Sequence, residues 1–241
     1  MKRDAFLLLH DMEDSWWYRG RAAVVLSVLV RKIGHFSPRD ALDFGAGYGG
    51  MGESLKTLCP RVYAFEPDVT ASAVASTRGY TKIFSSAEEA LARRYSLIGL
   101  FDVVEHMKDD RAGIESMKRA LVPDGYLLIT VPAFPYLWSV HDINHHHYRR
   151  YTKTTLRKLL EANGFEVAYI SYWNTTLFIP AALMRLMGLS GESTLKLPSF
   201  LNALFFAMVR VEAFLLRFIS LPFGTGLVAV ARIPSSLSKK Y

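Results

Sequence analysis

Cysteine is nearly absent from this chain. A single thiol, Cys59, among 241 residues excludes an internal disulfide and fits a reducing compartment. Long uncharged apolar runs are missing as well. The nearest candidate for a membrane-spanning helix, "FLNALFFAMVRVEAFLLRFISL", is interrupted by Arg210, Glu212 and Arg217, and so falls short of the eighteen or so residues a span needs. The opening "MKRDAFLLLHDMEDSWW" has a basic start but only a short apolar run before His10 and an acidic cluster, so it does not read as a secretory signal. No Lys/Arg run interleaves with aromatics, which argues against nucleic acid as a partner. Internal repeats are lacking, and low complexity is confined to the tail "PSSLSKKY". These absences predict a cytoplasmic protein.

What is present is apolar and basic. Apolar residues make up 51% of the chain, and 29 basic against 22 acidic residues give a net charge of +7. The first quantity suffices for a large core. The second permits an anionic membrane surface at the inner face as a peripheral docking site.

Short apolar runs alternate with helical patterns along the chain. The runs "ALDF", "RVYAFE", "KIF", "YSLIGLFDVV", "YLLITVP", "FEVAYISY" and "GLVAVARI" read as strands. Helical periodicity from about residue 20 to 33, with Gly34 as its stop, precedes the first. The helix "DDRAGIESMKRAL" is expected to stop at a "PDG" turn. Continuous rather than alternating apolar strands indicate a mostly parallel sheet covered on both faces. The prediction is therefore a doubly wound α/β fold. It divides into a core over residues 1–173, an apolar helical insertion over 174–223, and a last strand and tail over 224–241.

The stretch "ALDFGAGYGG" ends the first strand in glycines, where a turn passes so close to a ligand that no Cβ fits. Gly45, Gly47 and Gly50 match a nucleotide-binding spacing, and Glu66 follows at the end of the next strand, where a carboxylate can accept from ribose hydroxyls. NAD satisfies this spacing too. The ordered set "LDFGAGYGG", "AFEPD", "LFDVVEHMKDD" and "LVPDGYLLITVP" resembles the class I S-adenosylmethionine-dependent methyltransferases. "DSWWYRGR" and "VPAFPYLWSVHDINHHHYRRYT" resemble a bacterial branch of that superfamily, near the ubiquinone-pathway O-methyltransferases. Asp43 agrees with this likeness, since the cofactor's ammonium wants a carboxylate that a dinucleotide does not. The resemblance implies a seven-stranded sheet with its last strand reversed. It also implies a cofactor site built from Asp43, Gly45, Ala46, Gly47, Glu66, Pro67, Ser86 and Phe101. Ser85 and Ser86 stand where many relatives place an acid for the adenine amine.

The same resemblance implies that Asp102, Glu105, His106 and His147 hold a divalent cation such as Mg, which would lower the pKa of a substrate hydroxyl. The plainer alternative is that Asp102, Glu105 and His106 cap the following helix. His141 and His147 are the candidates for the general base that methyl transfer to oxygen requires. Arg149 and Arg150 are placed to clamp an anionic substrate group or to pair with surface acids. The implied activity is O-methylation of a small or lipid-linked acceptor. A catalytically silent binding module on the same fold and an RNA methyltransferase are the alternatives. The greasy insertion predicts contact with a membrane surface, a second copy of the chain, or the core.

Overall fold

The computed structural model describes residues 15–33, 38–187 and 197–234. The expected helix stop at Gly34 and the tail beyond Pro234 lie outside them. Helix α1 (Trp16–Ile33) leads into β1 (Asp40–Phe44), α2 (Gly52–Lys56), β2 (Arg61–Phe65), α3 (Val69–Ala75), β3 (Lys82–Phe84) and α4 (Ala87–Leu91). There follow β4 (Tyr95–Phe101), α5 (Asp110–Ala120), β5 (Leu121–Pro132), α6 (Val140–Asn144), α7 (Lys153–Ala162) and β6 (Glu166–Trp173). Helices α8 (Phe178–Leu186) and α9 (Ser199–Leu215) precede β7 (Gly226–Arg232).

The seven strands form one sheet in the order β3-β2-β1-β4-β5-β7-β6. Strand β7 runs antiparallel between β5 and β6, while the pairings among β1 to β5 are parallel. The chain winds outward in one direction from β1 and in the other from β4. The crevice at this reversal, outside the carboxyl ends of β1 and β4, is where such sheets take ligands.

Each face of the sheet carries its own core. One contains Ala90 of α4, Ile114 and Met117 of α5, and Leu156 and Leu160 of α7. The other contains Val24 and Val28 of α1, Leu55 of α2, and Val209 and Ala213 of α9. The apolar insertion thus completes the second helical layer: α1 and α2 do not cover that face alone. Contact between α1 and α9 is close, since a Cβ at Gly20 would meet Val209 Cγ1 at 2.8 Å. Trp16 and Trp17 are packing groups here, edge-on to Phe205 with centroids 5.6 Å apart and tilted on Trp173 at 4.7 Å.

The "PDG" segment differs from its expected role as a helix stop. Leu121 already pairs with Tyr95, and the register then jumps to Leu97 opposite Tyr126. The intervening residues bulge out of β5, with Asp124 at φ 59°. Asp tolerates that left-handed conformation better than most residues.

Candidate active site

The turn after β1 is held open by backbone geometry. Gly45 and Gly47 have φ of 78° and 55°, a region costly for residues with a Cβ. At Gly45 a Cβ would also stand 2.8 Å from Val103 Cγ2. The N–H groups of Gly45 and Ala46 both donate to the Phe65 carbonyl, at 2.9 and 3.0 Å, which pins the turn to the end of β2.

Two buried carboxylates border this turn. Glu66 accepts from the Gly47 N–H at 2.7 Å through Oε2 and from the Asp68 N–H at 2.9 Å through Oε1. Each oxygen keeps a further lone pair. Asp43, at the end of β1, accepts from the Tyr80 hydroxyl at 2.7 Å. Burial pushes its carboxyl up to about 6, while the Tyr80 bond and the Arg21 charge pull it down. Pro67 is exposed beside Glu66. Ser86 caps α4, its hydroxyl facing the Glu89 N–H at 3.5 Å. The Phe101 side chain is buried in the second core, together with Met51 and Leu55.

Beyond β4 the chain turns sharply at Asp102, with φ 59°. Asp102 is ion-paired to Arg21 at 2.5 Å and accepts from the Thr130 hydroxyl at 3.0 Å. Arg21 is 8% exposed, so α1 contributes a buried cation to the crevice. Asp102 does not join the metal-ligand candidates because these two partners hold it.

Glu105, His106 and His147 do come together, with one ligand atom from each within 4.8 Å of the others. Glu105 is fully buried, and neither carboxylate oxygen has a hydrogen-bond partner among the described residues. Burial, reinforced by the Asp102 charge, raises its carboxyl well above the usual range. Burial and the nearby His147 lower the His106 imidazole. The segment carrying His147 is fastened to this turn, since the Tyr148 N–H donates to the Glu105 carbonyl at 2.8 Å.

His147 is oriented by Asp142, a residue that no sequence motif marks. Its Nδ1 lies 2.9 Å from Oδ1 of Asp142. Asp142 is fully buried and also accepts from Arg150 Nε at 2.7 Å and Nη2 at 2.9 Å. Burial alone would raise the Asp142 carboxyl, but the His147 and Arg150 bonds outweigh it and hold it well below the usual range. With Nδ1 committed to a carboxylate, Nε2 is the nitrogen left for ligation or proton transfer. His141 stands outside the three-residue cluster, its ring 4.1 Å from His145 and 6.2 Å from His147.

Of the two alternatives for Arg149 and Arg150, a substrate clamp or pairing with acids, both side chains take the second. Arg150 is buried against Asp142 and also donates to the Ala133 carbonyl at 3.1 Å. Arg149 pairs with Asp110 at 2.9 Å and donates to the Lys108 carbonyl at 2.6 Å. Asp142, Tyr80 and the Arg21–Asp102 pair carry no short-motif signature. Only the i, i+5 spacing of Asp142 and His147 in the segment between β5 and α7 points to contact.

Comparison with known proteins agrees with this geometry. A family model described as "Methyltransferase domain" matches residues 18–170. A protein of Mycolicibacterium smegmatis described as "Probable S-adenosylmethionine-dependent methyltransferase" is 27% identical over 162 residues, covering 64% of this chain and 61% of its own length. The match thus spans under two thirds of that relative. Among solved structures, the N-methyltransferase NodS from Bradyrhizobium japonicum, in complex with S-adenosyl-L-homocysteine, superposes with a TM-score of 0.53 at 16% identity. The superposition covers 86% of this chain and 84% of NodS. A SAM-dependent methyltransferase from Archaeoglobus fulgidus gives a TM-score of 0.55 at 17% identity, covering 88% and 94%. At such identities the structural likeness shows the fold alone. The family match covers well over half of the sequence, and the chain belongs to the methyltransferase-domain family.

Proposed function

We propose that this protein transfers a methyl group from S-adenosylmethionine to a hydroxyl of a small or lipid-linked acceptor. S-adenosylmethionine would supply an electrophilic methyl on a sulfonium. The residues suit it: Glu66 has lone pairs left for ribose hydroxyls, a Cβ at Gly45 would press on Val103, and buried Asp43 offers an anion to an ammonium. Arg21, near Asp43 and Asp102, balances the local negative charge.

The observation that carries the oxygen-acceptor reading is the Glu105–His106–His147 cluster, with its unpartnered buried carboxylate. A buried acid without a partner is rare and asks for a cation or a proton. Glu105, His106 and His147 would hold a divalent ion, which would lower the acceptor hydroxyl's pKa. One carboxylate with two imidazoles suits zinc, iron or manganese better than magnesium, which prefers oxygen ligands and water. A second reading rests on the Asp142–His147 bond: without metal, His147 takes the hydroxyl proton at Nε2 while Asp142 steadies the imidazolium.

Transfer of tritiated methyl into lipid, small-molecule and RNA extracts, with and without chelator, tests both readings. Label in a base-resistant ether of a lipid or small molecule is expected. Chelator-sensitive transfer supports the metal, and chelator-resistant transfer lost in His147→Ala supports the base. Label confined to RNA, or to nitrogen, would overturn the acceptor assignment.

A further inference from the structure

Helix α9 turns the usual amphipathic arrangement outward. Its inner face, through Val209, Ala213 and Leu216, is buried in the second core. Glu212, also buried, accepts from the N–H groups of Asn174 and Thr175 and so ties the helix to the end of β6. The opposite face carries Phe200, Leu204, Val211, Phe214 and, just past its end, Phe218, at 70%, 51%, 62%, 55% and 62% exposure. Steps of four, seven, three and four residues align these side chains in one stripe along the axis. Large apolar side chains scattered singly need no explanation, but a continuous stripe of five does.

The flank of the stripe is basic. Arg210 and Arg217, both exposed, are seven residues apart and share one side of the helix. Their guanidinium groups lie 5.9 Å from the Phe206 ring centroid and 6.0 Å from that of Phe214. Such side chains keep apolar stems on the greasy surface and extend charge at its border. No helix of the described residues is long and apolar enough to cross a membrane, so the stripe fits a surface and not a span.

We infer that this face of α9 seats the protein on an anionic lipid bilayer. Phe200, Leu204, Val211, Phe214 and Phe218 enter the acyl boundary, and Arg210 and Arg217 meet the headgroup phosphates. The net charge of +7 adds attraction of the same sign. A second copy of the chain is the poorer occupant. An antiparallel two-fold contact through the stripe brings the basic flank of one copy near that of the other. The inference is independent of which acceptor is methylated, and it places a lipid-linked acceptor within reach.

The test is flotation of the purified full chain with vesicles of phosphatidylcholine alone or with phosphatidylglycerol, at low and high salt. The protein is expected to float with anionic vesicles at low salt and to be released by salt. Arg210→Gln and Arg217→Gln should each weaken binding about five-fold, which corresponds to about 1 kcal/mol. The pair Val211→Ser and Phe214→Ser should weaken it more than ten-fold with an unchanged melting temperature, since both side chains are exposed. Wild-type protein left in the soluble fraction on anionic vesicles at low salt would overturn the inference. So would a dimer in light scattering that the serine pair dissolves, because the face would then belong to a second copy.

Discussion

Asp43 is a carboxylate where water barely reaches, at 1% exposure, and its carboxyl titrates near pH 6 because burial outweighs Tyr80 and Arg21. The ammonium of S-adenosylmethionine interacts favourably only with the ionised form. Affinity should therefore be flat above about pH 7 and fall about tenfold for each unit below 6, as the proton must be displaced. Calorimetric titrations from pH 5 to 8 check this, and Asp43→Asn should flatten the profile while weakening binding. At this scale the sequence was legible where a residue type has one job. Gly45 and Glu66 stand out from spacing alone. Tyr80 does not, since nothing in "STRGYTK" announces that its hydroxyl reaches Asp43 across 37 residues of chain. Arg149 and Arg150 stayed open between two alternatives for the converse reason: paired arginines look the same whether they meet substrate or a carboxylate of the chain.

The histidine-bearing segment between β5 and α7 owes its shape to Asp142. That one side chain collects the Ser139 N–H at 2.9 Å, His147 and two nitrogens of Arg150. Asp142→Asn leaves the buried Arg150 guanidinium without an anion, at a cost of about 3–5 kcal/mol. A thermal melt should show the midpoint falling by about 10 °C. Because the Asp142 carboxyl is held low in the folded protein, its contribution is present above the unfolded value and is lost only as pH falls through the lower folded one. Wild-type stability in the variant at neutral pH would contradict this role. Strands and most helices were readable at this scale because burial on both faces writes continuous apolar runs into β1, β4 and β5. The bulge at the start of β5 was not, since Pro and Gly announce a turn without saying that the strand resumes its partner on the far side. Nor was the inner face of α9: a helix apolar all round does not reveal which side meets the core.

The molecule as a whole is a doubly wound sheet whose second helical layer is finished by an element inserted late in the chain. That layer fixes α1 and its Arg21 against Asp102, so the cofactor crevice depends on α9 through packing as well as on the glycine turn through chemistry. The topology was legible from alternation, and the reversed last strand came only with the family likeness. Among the site's parts, those at strand ends were the most visible, because the sheet brings strand ends together whatever the loops do. The crevice outside the carboxyl ends of β1 and β4 is where S-adenosylmethionine binds in this reading, with Glu66 at the end of β2 on its ribose. Calorimetry on the wild-type chain and Glu66→Ala tests it. Saturable one-to-one binding is expected in the wild type and a loss of about 1.5–3 kcal/mol in the variant, roughly ten- to hundredfold in Kd. Absence of binding in the wild type, or equal affinity in the two, would contradict it.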